Sequence, residues 1–540
     1  MTEVPINSQD FAADGARAAD TKWWTLAAVG IGLFMLLLDL TIVIVALPSI
    51  QRQLHGSISD LQWVIDAYAI SLGALMLTAG SLADLLGRKL LWTIGVVIFT
   101  AGSILCGAAQ TSMWLTLARA GQGIGGAMMF ATSLALVAQA FRDPGERGIA
   151  FAVFGAITGV AAALGPVIGG GITSAISWRY IFFVNVPIGV ILVVLTLLRV
   201  RESRDPNASR PDWIGFLTFS SGLGLLVYGL IESSSHSWGS ARVYGPLVAS
   251  AALLVAFVVA ELVQRRPMFD MTLLRNPTFD GGLAAAFAIS ASAMAMLTYL
   301  VLSLQNVLHY SEIQTGMRLL VLSGATLLTA GAAGRLTAKV PTRLLIGPGF
   351  LLTGAGLLLA RGITTTSSWT HLLPGFILIG LGSGLVQTPL ANLAVGVVDQ
   401  SRSGMASGIN STFRQVGIAG GVAALGTIFA SQIRTSVVSS LAGTPLAHSA
   451  HQIAKAVSSG RVGVVIAHAS RSTRGQIAHV ATSSFVHALN DILLIAAIVA
   501  FAGAAAAFAL IRQKDFVDSS AQAIGSDRPR ADSPLVERAA

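Results

Sequence analysis

The stretch GSLADLLGRKLL (residues 80–91) joins two long apolar runs, and a weaker version of it, GRLTAKVPTRLL (334–345), joins two others further along the chain. Weak similarity that recurs in the same order at a nearly constant separation indicates duplicated halves. Two more pairs of segments follow this order: GQGIG (121–125) with GLGSG (380–384), and GVAAALG (159–165) with GGVAALG (420–426). The sequence therefore predicts two copies of one structural unit.

The composition places these two units in a membrane. Of the 540 residues, 54% are hydrophobic and only 11% are charged, whereas about a quarter of the residues in a soluble domain are charged. The apolar runs are roughly 20 residues long, enough for a helix to cross a hydrocarbon core of about 30 Å. Alternating ten-residue strand patterns are absent. These features predict an all-α integral membrane protein.

Fourteen apolar runs are predicted to span the membrane. They lie near residues 23–47, 63–83, 90–109, 113–138, 149–172, 180–200, 213–232, 243–263, 279–302, 315–334, 344–361, 372–395, 404–430 and 487–511. The repeat assigns spans one to six and nine to fourteen to two six-helix bundles, with spans seven and eight inserted between them. The predicted domains are a tail (1–22), the first bundle (23–200), a linker (201–212), the inserted helices (213–263), a loop (264–278), the second bundle (279–511) with a long outer loop (431–486), and a second tail (512–540).

The distribution of basic residues predicts the orientation, because Lys and Arg concentrate in short cytoplasmic loops. An even number of spans places both termini on one side. If that side is the cytoplasm, the inner loops contain 15 Lys and Arg residues and the outer loops 10. The acidic first 22 residues lack the pattern of a secretory signal. We therefore expect both termini in the cytoplasm.

Several functions are disfavoured by the residue types. The net charge of +9 comes from bases scattered over many loops, so it does not form a nucleic-acid patch. The single cysteine, Cys106, allows neither an internal disulfide nor a cysteine metal cluster. No Gly-Lys pair is present, and hence no P-loop, and the nine histidines form no H-E-x-x-H pattern. We expect no bound metal or cofactor.

Three motifs together resemble one family. GSLADLLGRK (80–89) resembles the loop between spans two and three of the major facilitator superfamily, LARAGQGIGGA (117–127) its fourth-span motif, and GAITGVAAALGPVIGGG (155–171) its fifth-span antiporter motif. With LDLTIVIVALP (38–48) and fourteen spans, the chain is similar to the fourteen-helix drug:proton antiporters, the QacA/EmrB-like group. The resemblance covers most of the chain.

This resemblance implies a function. It predicts a major facilitator fold and a multidrug efflux transporter of a bacterial inner membrane, driven by the proton gradient and not an enzyme. The expected partners are the lipid bilayer, protons and small lipophilic substrates. Drugs of cationic character are expected among them, because members of the family that export organic cations often have an acid at the position of Asp66. Three alternatives stay open: a proton-coupled exporter of an endogenous lipid, siderophore or antibiotic, a permease driven by a separate ATPase, and a membrane-embedded enzyme.

Three charged residues are the predicted proton-coupling group. Asp39 interrupts an apolar run, and a carboxylate near the middle of a bilayer is costly when ionised, so that it is suited to bind and release protons. Asp66 and Arg119 each lie about one turn inside a tryptophan, Trp63 and Trp114. The alternatives are that Asp66 is an exposed acid at a helix end and that Arg119 extends to the headgroups.

Two motifs are predicted to take part in the conformational change. In the loop between spans two and three, charges can pair with a neighbouring helix end, or they can mark topology alone; these residues are Gly80, Asp84, Gly87, Arg88 and Lys89. The family's usual Arg after the Asp is replaced by Leu85. In the fifth span, small residues allow helices to approach closely and a proline invites a kink; these residues are Gly155, Gly159, Gly165, Pro166, Gly169 and Gly170.

Other polar residues within the spans are candidates for lining a substrate cavity. They are Thr41, Tyr68, Gln387, Asn410 and Arg414. The family commonly has Asn at the position of Ile44, so a polar neighbour of Asp39 is missing from its own helix.

Overall fold

The computed structural model is a helical protein. It describes residues 8–516 except 142, 205–211, 234, 235, 237, 265, 266, 268, 338, 399–402, 459–464, 467, 468 and 470, and this described part contains helices and no strands. The helices are α1 (Ser8–Leu54), α2 (Ile58–Leu86), α3 (Arg88–Gly107), α4 (Ser112–Ala140), α5 (Pro144–Ala175), α6 (Tyr180–Phe183), α7 (Asn185–Arg199), α8 (Trp213–Glu232), α9 (Ala241–Val263), α10 (Pro277–Ile289), α11 (Ala295–Asn306), α12 (Glu312–Leu336), α13 (Arg343–Leu359), α14 (Leu373–Gly396), α15 (Ser403–Leu441), α16 (Ala450–Ser458) and α17 (Arg471–Leu510).

The all-helical membrane fold predicted from the sequence is confirmed. In the described part of the chain, eleven helices are long and apolar enough to cross a membrane, and α2 makes a twelfth if its two bent segments form one span. A helix lies at each of the fourteen predicted positions, but α13 is 17 residues long and shorter than a typical span. The number of fourteen crossings stays a prediction.

The helices pack in two groups, here called the first and second bundles. In the first bundle α2 and α3 both pack on α4, and α1 packs on α5; in the second, α12 and α13 both pack on α14, and α13 packs on α17. The two bundles meet where α2 packs on α15 and α5 on α12. The inserted helices α8 and α9 pack on each other, and α8 also contacts α2 and α15 beside the junction of the bundles.

The bundles are closed against each other on one side. Among the described residues, hydrogen bonds and ion pairs between the bundles start halfway along α2, at Gly73, and lie from there toward the loop that joins α1 to α2. We call this the α1–α2 side, and the opposite one the α2–α3 side. The contacts are Gly73–Thr412, Gln62–Tyr299, Gln62–Val422, Val45–Gln305, Ser49–Glu312, Arg52–Glu312, Ser174–Glu312 and Ser174–Ile313.

Two helices extend into the predicted outer loop. α15 continues to Leu441 and α17 begins at Arg471, so helical backbone occupies both ends of the segment 431–486. Between them, the short helix α16 buries one apolar face, including Ile453 and Val457, in the core of the second bundle. The part of a helix that extends beyond the membrane has a polar sequence, so the pattern of apolar runs does not predict it. Helix α1 likewise begins at Ser8, inside the predicted tail 1–22, whereas residues 517–540 of the second tail lie outside the described part.

Candidate functional site

Asp39 and Arg119 form an ion pair inside the first bundle. Asp39 lies on α1 and Arg119 on α4, and one Arg119 Nη donates to the Asp39 carboxylate at 2.5 Å. Both residues are almost completely buried, with 1% and 2% of their surfaces exposed. Arg119 therefore does not extend to the headgroups, and its guanidinium is the partner of the Asp39 carboxylate.

Amide groups complete the environment of the Asp39 carboxylate. Gln122 Nε2 donates to its Oδ1 at 3.0 Å, and Asn185 Nδ2 donates to the same oxygen at 3.2 Å. Both amides also donate to the Ser103 hydroxyl, at 2.8 and 3.2 Å. Four helices, α1, α3, α4 and α7, thus supply a connected polar cluster whose net charge is zero. Such a cluster is stable in an apolar interior only when its members are satisfied.

The guanidinium of Arg119 is held on its remaining sides. Its Nε donates to the Val64 carbonyl at 3.2 Å, and another bond reaches Gln122 Oε1 at 2.7 Å. Its Cζ lies 4.1 Å from the centre of the Tyr68 ring, a cation–π contact. Tyr68 is fully buried under the guanidinium, so it does not line an open cavity as predicted.

Asp66 lies apart from this cluster, on the opposite face of α2. Val64 and Tyr68, which contact Arg119, are two residues before and after it, so its side chain points the other way. Asp66 is fully buried, and neither carboxylate oxygen has a hydrogen-bond partner among the described residues. The alternative of an exposed acid at a helix end is therefore wrong.

The surroundings of Asp66 belong to the closed junction. One turn away, Gln62 donates to the Val422 carbonyl at 3.1 Å and to the Tyr299 hydroxyl at 3.3 Å. Tyr299 is close enough to Asp66 for an electrostatic interaction. An unpaired carboxyl group thus lies where α2 meets the second bundle.

A second ion pair joins the bundles at the α1–α2 side. Arg52, in the last turn of α1, contacts Glu312 in the first turn of α12 at 2.7 Å. The same carboxylate accepts from Ser49, and Ser174 of α5 lies 3.5 Å from its other oxygen. Charges at helix ends are the only sign of this contact in the sequence.

The fifth-span motif packs between the two bundles. A Cβ added at Gly165 would collide with Thr41, and one at Gly169 with the backbone of Ile42, so α5 lies directly against α1. On its other face, Gly170 meets the backbone of Glu312. Pro166 lies inside α5, and its carbonyl faces Gly316 of α12. Gly155 and Gly159 lie in α5, in a stretch outside the described side-chain packing.

The motif between α2 and α3 makes its described contacts inside the first bundle. Arg88 pairs with Asp84 at 2.8 Å, and Lys89 Nζ donates to the Leu197 carbonyl at 3.0 Å. Gly87 has φ +121°, and its missing side chain leaves room for Glu202. The Glu202 carboxylate accepts from the backbone N–H of Lys89 at 2.9 Å and caps α3. Gly80 faces open space.

The remaining candidates lie in different places. Thr41 donates to carbonyls of its own helix and packs on α5. In the second bundle, Arg414 of α15 donates to Gln387 Oε1 of α14 at 3.1 Å, and both side chains are partly exposed. Asn410 is buried, 3.5 Å from the Gly282 carbonyl.

Sequence reasoning missed four important polar residues. Gln122 and Asn185 bind the Asp39 carboxylate, and Glu202 caps α3. Glu312 joins the bundles. A buried amide inside an apolar span, as at Gln122 and Asn185, is the signal that identifies such residues. The described residues contain no group of three or more His, Cys, Asp or Glu arranged to hold a metal ion.

Known sequences are similar to this chain over most of its length. The sequence model of the Major Facilitator Superfamily matches residues 29–422. Multidrug resistance protein Stp of Mycobacterium tuberculosis is 37% identical over 417 residues, 77% of this chain and 78% of that protein. Puromycin resistance protein pur8 of Streptomyces alboniger is 34% identical, covering 79% and 85%. The tetracenomycin C resistance and export protein of Streptomyces glaucescens is 30% identical, covering 90% and 91%.

A solved structure shares the fold. The crystal structure of a bacterial homolog of the human lysosomal transporter Spinster, in an inward-facing and occupied conformation, has a TM-score of 0.60. The superposition covers 92% of this chain and 98% of that one, at 15% identity. This likeness concerns the helical architecture alone.

Proposed function

The chain belongs to the Major Facilitator Superfamily, and on that premise we propose that it is a proton-coupled antiporter that exports lipophilic drugs across a bacterial cytoplasmic membrane by alternating access. It is a membrane transporter and not an enzyme. The names of its relatives refer to multidrug resistance, puromycin resistance and tetracenomycin C export, which supports drug efflux.

The proposed orientation places the α1–α2 side outside the cell. The excess of Lys and Arg in the loops of the opposite side supports this assignment. The closed junction between the bundles then blocks the outer side, which assigns this state to the inward-facing half of the proposed cycle. Drug would enter from the cytoplasm or the inner leaflet.

The observation that carries proton coupling is the buried, unpaired carboxyl group of Asp66. A charged carboxylate in a dry interior without a partner is strongly unfavourable, so a buried group of this kind takes up a proton. Both oxygens of Asp66 lack a partner among the described residues, and the group lies in the closed junction. The junction therefore closes around Asp66 in its neutral form.

This arrangement supports a coupling sequence. When the bundles separate on the α1–α2 side, Asp66 becomes accessible to the external medium and binds a proton there. The neutral side chain then allows α2 to pack on α15, which closes the outside and opens the inside. Inward movement of one proton releases about 2.3 kcal/mol per 100 mV of membrane potential. Release of that proton to the cytoplasm, coupled to drug binding, completes the exchange.

Asp39 has a different role in this proposal. Its charge is matched by Arg119, and both of its oxygens accept hydrogen bonds. Breaking a buried pair of this kind on one side is strongly unfavourable. We assign the pair to holding α1 and α4 together, with the proton carried by Asp66.

The test is drug-driven proton movement in proteoliposomes, with rhodamine 123 and fluorescein as alternative drugs, comparing the wild type with Asp66→Asn. The amide imitates the neutral acid, so the variant is expected to bind rhodamine 123 with unchanged affinity but to lose proton-coupled exchange by at least tenfold. Asp491→Asn is the matched control, since Asp491 is a partly exposed acid in the middle of α17, beside His487.

Two results would contradict the proposal. Wild-type protein that moves drug without moving protons would remove proton coupling altogether. Undiminished proton-coupled exchange by Asp66→Asn would show that Asp66 does not carry the proton. In the second case Asp39→Asn, assayed in parallel, shows whether the ion pair carries the proton instead.

The substrate class stays open at this level. The preference for cationic drugs was inferred from Asp66, which a drug cannot reach while the junction is closed. The alternative of an exported endogenous antibiotic is supported by the relatives named for tetracenomycin C export and as a probable actinorhodin transporter. The residues that bind the substrate decide between a cationic drug and an endogenous antibiotic.

A further inference from the structure

Arg414 is the second arginine deep within the spans, and its surroundings differ from those of Arg119. It lies on α15, and one Nη donates to Gln387 Oε1 of α14 at 3.1 Å. No carboxylate lies within ion-pair distance of it among the described residues. Arg119, in contrast, is neutralised by Asp39 and bonded on every side.

The two helices that the Arg414–Gln387 bond joins offer the guanidinium no counter-charge. The sequences of α14 and α15 contain no Asp or Glu. Asp280, the one acid of α10, makes no described ion pair with Arg414. A guanidinium carries five N–H donors in a planar fork and stays charged at all physiological pH values. One amide acceptor thus leaves most of its donors to water or to a ligand.

The position of Arg414 places these donors at the end of the closed junction. Its neighbours Thr412 and Gln415 contact Gly73 of α2, where the described inter-bundle contacts stop on the α2–α3 side. The residues of α15 that contact α8, such as Thr427, lie on another face of the helix. Arg414 points instead toward α14, and its side chain is partly exposed. It therefore lies beside the contact between α2 and α15, on the α2–α3 side of the closed junction, with part of its guanidinium exposed.

We propose that Arg414, positioned by Gln387, is a substrate-binding residue that selects small lipophilic acids, molecules whose apolar rings carry a carboxylate or an ionised phenol. This inference rests on the proposed export function and specifies its substrate class. The rings bind the apolar walls between the bundles, and the acidic group binds the free edge of the guanidinium. Charge-assisted bonds of Arg to a carboxylate are short and often bidentate.

The positive charge of Arg414 determines which substrates the site favours. A cation that approaches Arg414 meets an uncompensated positive charge in a region of low dielectric, which is unfavourable. An acid replaces water on the same donors and neutralises the charge. The site therefore favours acids over cations of equal size, the opposite of the preference inferred from Asp66.

The test uses two xanthene dyes of similar size and opposite charge, fluorescein and rhodamine 123. Their dissociation constants are measured by fluorescence anisotropy on purified full-length protein in detergent at pH 8, where fluorescein is anionic. The variants are Arg414→Gln, Arg414→Lys and, as matched control, Arg318→Gln, whose arginine stacks on Tyr310 near the α1–α2 side. Thermal unfolding of each variant verifies that it is folded.

We expect Arg414→Gln to weaken fluorescein binding by at least tenfold, which corresponds to about 1.4 kcal/mol, and to leave or strengthen rhodamine 123 binding. Arg414→Lys should fall between, because it keeps the charge without the fork. The control should match the wild type for both dyes.

Three results would overturn the inference: no fluorescein binding by the wild type, equal binding of fluorescein by wild type and Arg414→Gln, or an equal loss for both dyes in a folded variant. These results concern binding alone. Failure of proton coupling is observed in the separate proteoliposome assay, so the two proposals fail independently.

Discussion

Asp39 and Arg119 are 80 positions apart in the sequence, and the structure joins them at 2.5 Å across α1 and α4. The pair is almost fully buried and is surrounded by two amides and a hydroxyl. A buried pair is costly to form but far more costly to break on one side, since the remaining charge then has no partner. Asp39 therefore serves first to hold the helices of the first bundle together.

A double-mutant cycle tests this role. Asp39→Asn and Arg119→Gln should each lower stability by about 3–5 kcal/mol, because each leaves one buried charge unpaired. The double variant should be more stable than the sum of the two losses predicts. The measurement is thermal unfolding in detergent. Glu146→Gln, which breaks the partly exposed pair with Lys22, is the control and should cost at most about 1 kcal/mol. Additive losses would contradict the coupling.

The junction at the α1–α2 side depends on a glycine of α15. A Cβ at Gly426 would collide with the Gln62 amide and the Tyr299 hydroxyl, whereas Gly420 on the same helix has open space around it. Gly426→Ala should therefore destabilise the closed state by about 1–3 kcal/mol, a typical cost of overpacking. Gly420→Ala should be neutral or slightly stabilising. The melting temperature reports both.

A second substitution distinguishes this clash from a local backbone effect. Shortening the opposing side chain, as Gln62→Ala, removes the amide atoms that lie nearest to the new methyl group and leaves the Tyr299 hydroxyl in place. The double variant Gly426→Ala/Gln62→Ala should recover part of the lost stability relative to Gly426→Ala. If it does not, the destabilisation of Gly426→Ala arises elsewhere.

The sequence predicts the architecture well because membrane helices require long apolar runs, and duplicated halves leave recognisable repeats. It also identifies Asp39 and Arg119, since charges inside such runs are rare. It does not predict where those helices end in water: the polar parts of α15 and α17 beyond the membrane look like a loop. The length of an apolar run reflects the thickness of the hydrocarbon core and not the full length of the helix.

The sequence also cannot assign partners that depend on helix rotation. Tyr68 and Asp66 are two residues apart, but α2 directs one to Arg119 and the other to the second bundle. The family commonly has Asn at the position of Ile44, near Asp39 on the same helix. Here the amide of Asn185 binds Asp39 instead, and it comes from α7, more than a hundred residues away in the sequence. Such contacts follow from tertiary packing, which one sequence alone does not encode in any local pattern.

Glu312 is expected to hold the α1–α2 side closed. Its carboxylate joins α12 to Arg52 and Ser49 of α1, so Glu312→Gln removes the charge from these bonds and favours separation of the bundles there. The reporter is Thr315→Cys in a Cys106→Ala background, because Thr315 is fully buried in the next turn of α12. Maleimide labelling of this cysteine should be about 3- to 10-fold faster in Glu312→Gln, the effect of weakening a partly exposed pair by about 1 kcal/mol. Arg318→Gln is the control, and equal labelling rates in all three proteins would refute the role of Glu312.

The motif between α2 and α3 offers two glycines with opposite expectations. Gly87 has φ +121° and a Cβ there would meet the Glu202 carboxylate that caps α3, whereas Gly80 is helical and faces open space. Gly87→Ala should therefore lower stability by at least about 1–2 kcal/mol through backbone strain alone, and by more if the Glu202 cap is displaced. Gly80→Ala should preserve stability, and if it nevertheless reduces transport, the open space beside Gly80 is filled by the second bundle in another state of the cycle. Thermal unfolding and drug export, measured on both variants, separate these outcomes; a stable Gly87→Ala protein would show that Glu202 does not depend on the glycine.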